Sequence, residues 1–458
     1  MTEARAGRTG FRVAASAICV AAMLSGCTRP DRNGGLNFPF LPGYQGTRDG
    51  APVLLDNAAW WRGLDDPVLD GLIAQALAQN LTLAAATERV RQALAEAGTV
   101  PDGIDATPSL SARVEGDTEN EAVTTGTAQI GFDWMLDPFG ARKAARAAAA
   151  ERVNIAEAEA DAARLLVLFN TANAYAGLRY RERLLDLREQ ELQSRRRTLA
   201  LVRDLAASDA AIRLEVTRSR ARVAEIEAQL PQVRSAVQAS RNQIAVLVGQ
   251  IPGQFTLPQA TPGRIPQPQL SPDVGIPADL LRNRPDIRSA ERSYYLALAD
   301  LEAAEAARYP SLSLGGAISL GGGNRGVPYY FGPTVRFPDL IGNTTGAAIA
   351  ARQSAVRQAH AFWQSTVLDA ILEVENALLD YRAATEAVVS AGRAVALYQQ
   401  AADLTREIFG VGDATLTDLI DAEQAIANAR ILQADSAYNR ALGFIALNVR
   451  VGAGSAAR

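Results

Sequence analysis

The chain switches between two spacings of its apolar side chains. Residues 142–204 and 347–409 hold no proline and one glycine each, Gly177 and Gly392, in alanine-rich sequence laced with Arg and Glu. At 1.5 Å per residue each run makes a helix of roughly 95 Å, far beyond an ordinary globular helix. A break follows each run, DLAASDAA at 204–211 and FGVGDAT at 409–415, and a helical stretch returns over 212–248 and 416–449. The pattern predicts two long antiparallel helical hairpins. Pro231 falls inside the first returning stretch, where it is expected to kink or split the helix.

Four shorter segments change the period to two. In PSLSARVEG (108–116) Leu110, Ala112 and Val114 alternate with Ser109, Ser111, Arg113 and Glu115. In TAQIGFDWML (127–136) Ile130, Phe132 and Trp134 alternate with Gln129, Gly131 and Asp133. In PSLSLGGAISL (310–320) Leu312, Leu314, Gly316, Ile318 and Leu320 share one face, as do Phe331, Pro333, Val335 and Phe337 in YYFGPTVRF (329–337). These read as four strands of about ten residues in two hairpins, with one apolar, aromatic-bearing face and one polar, glycine-rich face. That is the signature of a transmembrane β-barrel, although a half-buried soluble sheet shows the same alternation. On the barrel reading Leu110, Val114, Ile130, Phe132, Trp134, Leu312, Leu314, Phe331, Val335 and Phe337 face lipid.

Four strands cannot close a barrel, and an open edge cannot sit in lipid. Chains must therefore pool their strands. Eight strands from two chains leave no channel, whereas twelve from three chains leave a lumen. The small, polar inner face favours three.

A third apolar feature lies at the start. Arg5, Arg8 and Arg12 precede the apolar run 13–24, which is too short to span a bilayer and reads as a signal peptide. The run ends in LSGC (24–27), which resembles the bacterial lipobox, where the cysteine is acylated and becomes the new N-terminus. Cys19 would leave with the signal, so Cys27 would be the only thiol of the mature chain, and no disulfide or cysteine cluster can form. Acyl chains contribute about 0.8 kcal/mol per buried CH2, so several chains make a stable anchor to outer-membrane lipid. Thr28, where an aspartate would favour inner-membrane retention in such lipoproteins, points to the outer membrane.

Composition removes other classes. A net charge of −4 and a pI near 5.4 give no overall basic footprint for nucleic acid. The single histidine, His360, has no Asp, Cys or second His arranged around it, and no nucleophile elbow, phosphate loop or metal spacing appears. GGGN (321–324) reads as a loop. The chain is read as a non-enzyme without metal or cofactor, apart from the covalent lipid on Cys27.

The hairpins repeat at an offset of about 203 residues. Arg203 and Asp204 fall on Arg406 and Glu407, Ala211 on Ala414, and VLVG (246–249) on VRVG (449–452). PSLS at 108–111 recurs at 310–313. Two copies of one unit are thus joined by a proline-rich linker, 251–277.

WWRGLDDPVLDGLIAQALAQN (60–80), LLRNRPDIRSAERSYYLALADLEAAEAARYPSLSL (280–314) and FGVGDATLTDLIDAEQ (409–424) resemble segments of the TolC-like outer-membrane efflux proteins, in the NodT-type lipoprotein branch. The resemblance covers nearly all of the mature chain, and RPDIRSAER (284–292) is its most specific piece. It implies a mainly α fold with a transmembrane β-barrel portion: a homotrimer sharing a twelve-stranded barrel, and a twelve-helix tunnel in the periplasm. The tunnel docks on a periplasmic adaptor and an inner-membrane transporter of the RND type. The implied divisions are a signal at 1–26, an acylated extended segment at 27–59, first helices at 60–107 and a first β-hairpin at 108–140. A first helical hairpin (141–250), the linker (251–277), second-repeat helices (278–307), a second β-hairpin (308–340), a second helical hairpin (341–452) and a tail (453–458) follow.

In the family the tunnel narrows near the second hairpin turn. Carried onto TLTDLIDAEQ, the gate acids are Asp421 and Asp418, with Thr417 beside them, and Arg406, Arg203 and Arg218 are candidate supports. Leu416, Leu419, Ile420 and Glu423 point elsewhere. A solvated helix face is the competing reading of those acids. The turn at 204–211 lacks the glycine that Gly410 and Gly412 supply in its repeat partner, which weakens the case for adaptor contact by the first hairpin. VPDGIDAT (100–107) and IGNTTGAA (341–348) also depart from the family's pattern. A lipid-anchored periplasmic adaptor is the alternative function; it would carry one helical hairpin flanked by small β-domains.

Overall fold

The computed structural model describes residues 36, 38, 59–100, 103–115, 123–207, 212–257, 263–269, 284–321, 327–338 and 344–455. The signal segment, Cys27, most of the loops 117–126 and 321–328, and most of the linker lie outside the described residues. The chain divides into Met1–Phe40 and Leu41–Arg458, and the elements below belong to the second unit.

A 3-10 turn, Trp60–Leu64, leads into α1 (Pro67–Gln79) and α2 (Leu81–Ala97). Asp66 and Asn80 cap these helices, each accepting from two backbone amides of the first turn. Strands β1 (Ile104–Glu115) and β2 (Val123–Leu136) precede α3 (Ala141–Ala207) and α4 (Arg213–Leu247). Then come α5 (Pro285–Ala306), β3 (Ser311–Gly321), β4 (Tyr329–Arg336), α6 (Thr344–Gly410) and α7 (Leu416–Arg450). Helices α3 and α6 are each 67 residues long, and α4 and α7 are each 35. Among the described residues no single helix is long and apolar enough to cross a membrane.

The strands form one antiparallel meander, β1-β2-β3-β4, whose two outer strands each keep one edge unpaired. Its register segregates the faces. Ile104, Trp134, Leu314 and Pro333 lie abreast, as do Pro108, Ile130, Ile318 and Tyr329. Directly opposed residues share a face, so these rows are apolar throughout. The other face carries Ser109, Gln129 and Ser319 in one row and Asp105, Asp133, Gly315 and Gly332 in another. Phe132 and Phe331 stack at 5.7 Å across Gly316. A Cβ at Gly316 would stand 2.6 Å from the Phe132 ring and 2.7 Å from the Tyr330 carbonyl, so only glycine fits beneath the pair. β1 starts at Ile104, ahead of the expected 108, which puts Pro108 in its interior; Pro333 lies in β4. Both prolines therefore sit on the outer strands, where a missing N–H need not break the ladder.

The long helices pack in the order α4, α3, α7, α6, and above them α2, α3, α5, α6. The α3–α4 contact is a coiled-coil seam. Ser219, Val223, Ile226, Leu230, Val237, Ser240 and Ile244 are buried along α4 at steps that follow a heptad, packing in part on Leu192 and Leu199. Pro231 neither splits nor ends α4, contrary to expectation. It is exposed while its neighbour Leu230 is buried, so the carbonyl it leaves without a donor faces water and the seam continues beneath it. Elsewhere alanines, including Ala172, Ala370 and Ala441, occupy fully buried positions and let the helices approach closely. The RPDIRSAER arginines stitch α5 to its neighbours. Arg284 donates to the Arg450 carbonyl at 2.6 Å and to Glu373 at 2.9 Å, and Arg288 pairs with buried Asp161. Trp60, Leu168, Tyr175 and Phe444 form an aromatic-rich core with the C-terminal turn folded over Trp60.

Candidate functional site

The α6–α7 turn is built for a tight reversal. Gly412 adopts φ +86°, a left-handed conformation that favours glycine, and its amide bonds the Phe409 carbonyl at 3.1 Å. Thr415 then caps α7. Its Oγ1 accepts from the Asp418 amide at 3.2 Å, and Asp418 Oδ2 accepts from the Thr415 amide at 2.9 Å and from its hydroxyl at 2.6 Å. The Thr415 hydroxyl, then its amide, holds the Asp418 carboxyl below the usual carboxylate range. Asp418 is thus occupied as a helix cap.

Beyond the cap, α7 shows two faces. Leu416, Leu419, Glu423 and Ile426 are buried; Thr417, Asp418 and Asp421 are exposed. Among the described residues Asp421 makes no side-chain hydrogen bond, and it is exposed. Arg406 does not reach these acids. It bonds Asp403 at 2.8 Å and approaches Glu423 at 4.0 Å. Arg203 and Arg218 are exposed and form no ion pair among the described residues.

The strongest contact at this end is one the sequence reading passed over. Glu423, on α7, meets Arg195, on α3, at 3.2 Å, with the two side chains 6% and 3% exposed. Ser194 and Thr198 each donate to Glu423 Oε1 at 3.0 Å. Arg195 also donates to the Ile420 carbonyl at 3.2 Å and to Gln424 Oε1 at 2.8 Å. The first hairpin is thereby clasped to the second through a buried, nearly saturated ion pair. It borders a groove of about 530 Å³ that Arg406 and Arg430 also line. Higher up, Tyr180 donates to Asp435 at 2.5 Å across the same helix pair, and burial pushes its phenol up to about 12.

At the sheet, Leu110, Ile130, Trp134, Phe331, Val335 and Phe337 are exposed on the apolar face, and Phe132, Leu312 and Leu314 are half-buried there. Val114 pairs with Thr124 in the β1–β2 register. His360 sits among Tyr294 and Trp363 at ring distances of 5.8 and 6.0 Å. Among the described residues no cluster of His, Cys, Asp or Glu could hold a metal ion.

Comparison with known proteins places this architecture. The outer membrane efflux protein family matches the chain twice, over residues 72–250 and 276–453. Nodulation protein T of Rhizobium leguminosarum bv. trifolii is 32% identical over 411 residues, 86% of this chain and 88% of that protein. The pyoverdine export outer membrane protein OpmQ of Pseudomonas aeruginosa is 26% identical over 405 residues, 82% of this chain and 83% of that protein. The solved outer-membrane channel OprN superposes with a TM-score of 0.84 at 26% identity, over 93% of this chain and 99% of that one. Both long helical hairpins and both β-hairpins fall within the matched spans, and the chain belongs to the outer membrane efflux protein family.

Proposed function

We propose that three copies of this chain close side by side into the outer-membrane exit duct of a tripartite efflux system. The observation that carries this is the sheet: a largely apolar face on one side, a largely polar face on the other, and unpaired edges on β1 and β4. Pairing β4 of one copy with β1 of the next removes every edge after three steps and encloses a lumen. The helices supply a matching seam. On α6, away from α7, Leu397, Leu404 and Ile408 are exposed, as is Val411 in the turn that follows. On α4, away from α3, Leu214, Thr217, Ala221, Ala224 and Ala228 are exposed. Large side chains on one edge can therefore seat against small ones on the next copy, continuing the helical wall as a twelve-helix tunnel.

An internal two-fold repeat underlies the plan. The starts of α3 and α6, and of α4 and α7, lie at the same offset, Ala141 to Thr344 and Arg213 to Leu416. The duct is passive, anchored by acyl chains on Cys27, and receives small toxic molecules from an inner-membrane RND-type transporter through a periplasmic adaptor. Three Asp421 carboxylates line its closed periplasmic end, and the Arg195–Glu423 clasp holds each copy's hairpins in that closed state. Native mass measurement in detergent tests the assembly: three chains are expected, and a stable monomer refutes it.

A further inference from the structure

The two hairpin ends carry opposite charge. Residues 195–222, spanning the end of the first hairpin, hold eight arginines and three acids, a net of +5. The equivalent span of the second hairpin, 398–425, holds one arginine and six acids, a net of −5. Apart from the buried Arg195–Glu423 pair, the described charges of both spans lie outside the helix packing. At the first end Arg197, Arg203, Arg213, Arg218 and Arg220 are exposed and meet no carboxylate among the described residues. Their neighbours differ: Arg196 bonds Glu227 and Arg222 bonds Glu225. At the second end Glu407, Asp413 and Asp421 are exposed and form no ion pair among the described residues.

The seam between copies does not use these groups. The α4 stripe opposite its buried face runs Leu214, Thr217, Ala221, Ala224, Ala228, and the facing stripe is carried by Leu397, Leu404 and Ile408 of α6 and Val411 of the turn after it. Arg213, Arg218 and Arg220 flank that uncharged stripe. A neighbouring copy can therefore cover the seam and leave the arginines exposed.

We infer that the hairpin ends form a rim of alternating charge that docks a periplasmic partner of inverse pattern, acidic against the α3–α4 end and basic against the α6–α7 end. The inference rests on the trimeric duct argued above, in which first and second hairpins alternate around the ring. The partner is then read in two steps. Exposed charges accelerate encounter, with on-rates raised by about 10- to 1,000-fold at low salt. Like charges brought together are strongly disfavoured, so a partner displaced by one hairpin meets only repulsion. The rim thus fixes rotational register: each copy of the duct must receive two contacts of opposite character, not two equal ones. The glycine missing from the first turn is no obstacle, because the contact relies on arginines carried by the helices.

The test uses the purified full-length trimer and two designed helical-hairpin peptides on one scaffold, one with a glutamate-rich tip and one with a lysine-rich tip. Binding is measured by surface plasmon resonance at about 0.05 M and about 0.3 M salt, either side of physiological screening. Native mass and single-channel conductance are recorded for every variant, so failure of the trimer itself is seen separately. Arg213→Glu/Arg218→Glu/Arg220→Glu should weaken the acidic-tip peptide at least about tenfold and should not weaken the basic-tip peptide, because the charges are sign-specific. Glu407→Lys/Asp413→Lys should do the reverse, and both wild-type affinities should fall with salt. Arg357→Glu, near the other end of α6, should alter neither. The inference is overturned if either rim variant affects both peptides alike, if Arg357→Glu has the same effect, or if neither peptide binds the wild-type trimer. Should the triple reversal fail to assemble, Arg218→Gln/Arg220→Gln gives the same sign test at smaller amplitude.

Discussion

Replacing Glu423 by alanine should unlatch the periplasmic end of the duct. The substitution removes the nearer counter-charge of the Arg195 guanidinium, 3% exposed, and leaves it only Glu191 at 3.9 Å, which Arg188 already holds. Removing one partner of a buried ion pair typically costs about 3–5 kcal/mol. The Ile420 carbonyl and Gln424 Oε1 still accept from Arg195, so the lower figure, about 3 kcal/mol, is expected. Each 1.4 kcal/mol is about tenfold, so loss of the pair weakens the α3–α7 contact by roughly 100-fold. Glu423→Gln should cost less, since the amide oxygen still accepts from Ser194 and Thr198. The double replacement Arg195→Met/Glu423→Leu removes both charges and fills the space with apolar groups, an exchange often neutral or stabilising. Open probability in planar bilayers separates the cases: a marked rise for Glu423→Ala, and return toward wild type for the double replacement. If the double replacement is as open as Glu423→Ala, the ion pair is not what holds the end shut.

Three further outcomes follow from named residues. Cys27→Ser should abolish acyl labelling and leave a longer precursor; normal labelling and processing would falsify the lipoprotein reading. Asp421→Ala should weaken cation preference and multivalent-cation block from the periplasmic side, and Asp418→Ala should do so less; an unaltered double replacement would mean these acids line no constriction. Because the Asp418 carboxyl is held below its ordinary value in the folded chain, its cap is fully formed above about pH 4, the unfolded value, and is lost only as pH falls through the lower folded value. Amide exchange at Asp418 and Leu419 should therefore stay protected down to about pH 4, and loss of protection near pH 6 would contradict that order.

Much of the fold was legible because its periods are long. The run 347–409, free of proline and nearly free of glycine, became α6 at Thr344–Gly410, and the four alternating segments became one sheet in register. Pro231 misled because the proline rule assumes that the orphaned carbonyl and the ring both meet packed neighbours; on α4 they meet water. Glu423 was grouped with residues set apart from the gate acids; it is buried against α3, and its partner lies 228 residues earlier, beyond any local pattern. A signal for it does exist. Glu423 follows Leu416 and Leu419 and precedes Ile426 at core spacing, and Arg195 stands likewise between Leu192 and Leu199. Charges at core positions of helical seams are costly unless they are paired, and here Arg195 and Glu423 meet across the two helices.

The same reasoning shows why the whole-chain charge was the wrong scale. A total of −4 argues against a basic surface only if charge is spread evenly. It is not: the two halves have helices of equal length, while the spans around their turns carry net charges of +5 and −5. Seam positions are held by packing, since each must fill a neighbour's groove, whereas exposed positions on a 67-residue helix are free to take either sign. Charges act over about 8 Å at physiological salt, so each end presents its local sign to whatever approaches it, and the cancelling charge on the other hairpin is felt only where the two ends touch. They touch at Arg195 and Glu423, where opposite signs close one clasp within each copy; the remaining charges are left exposed around the rim.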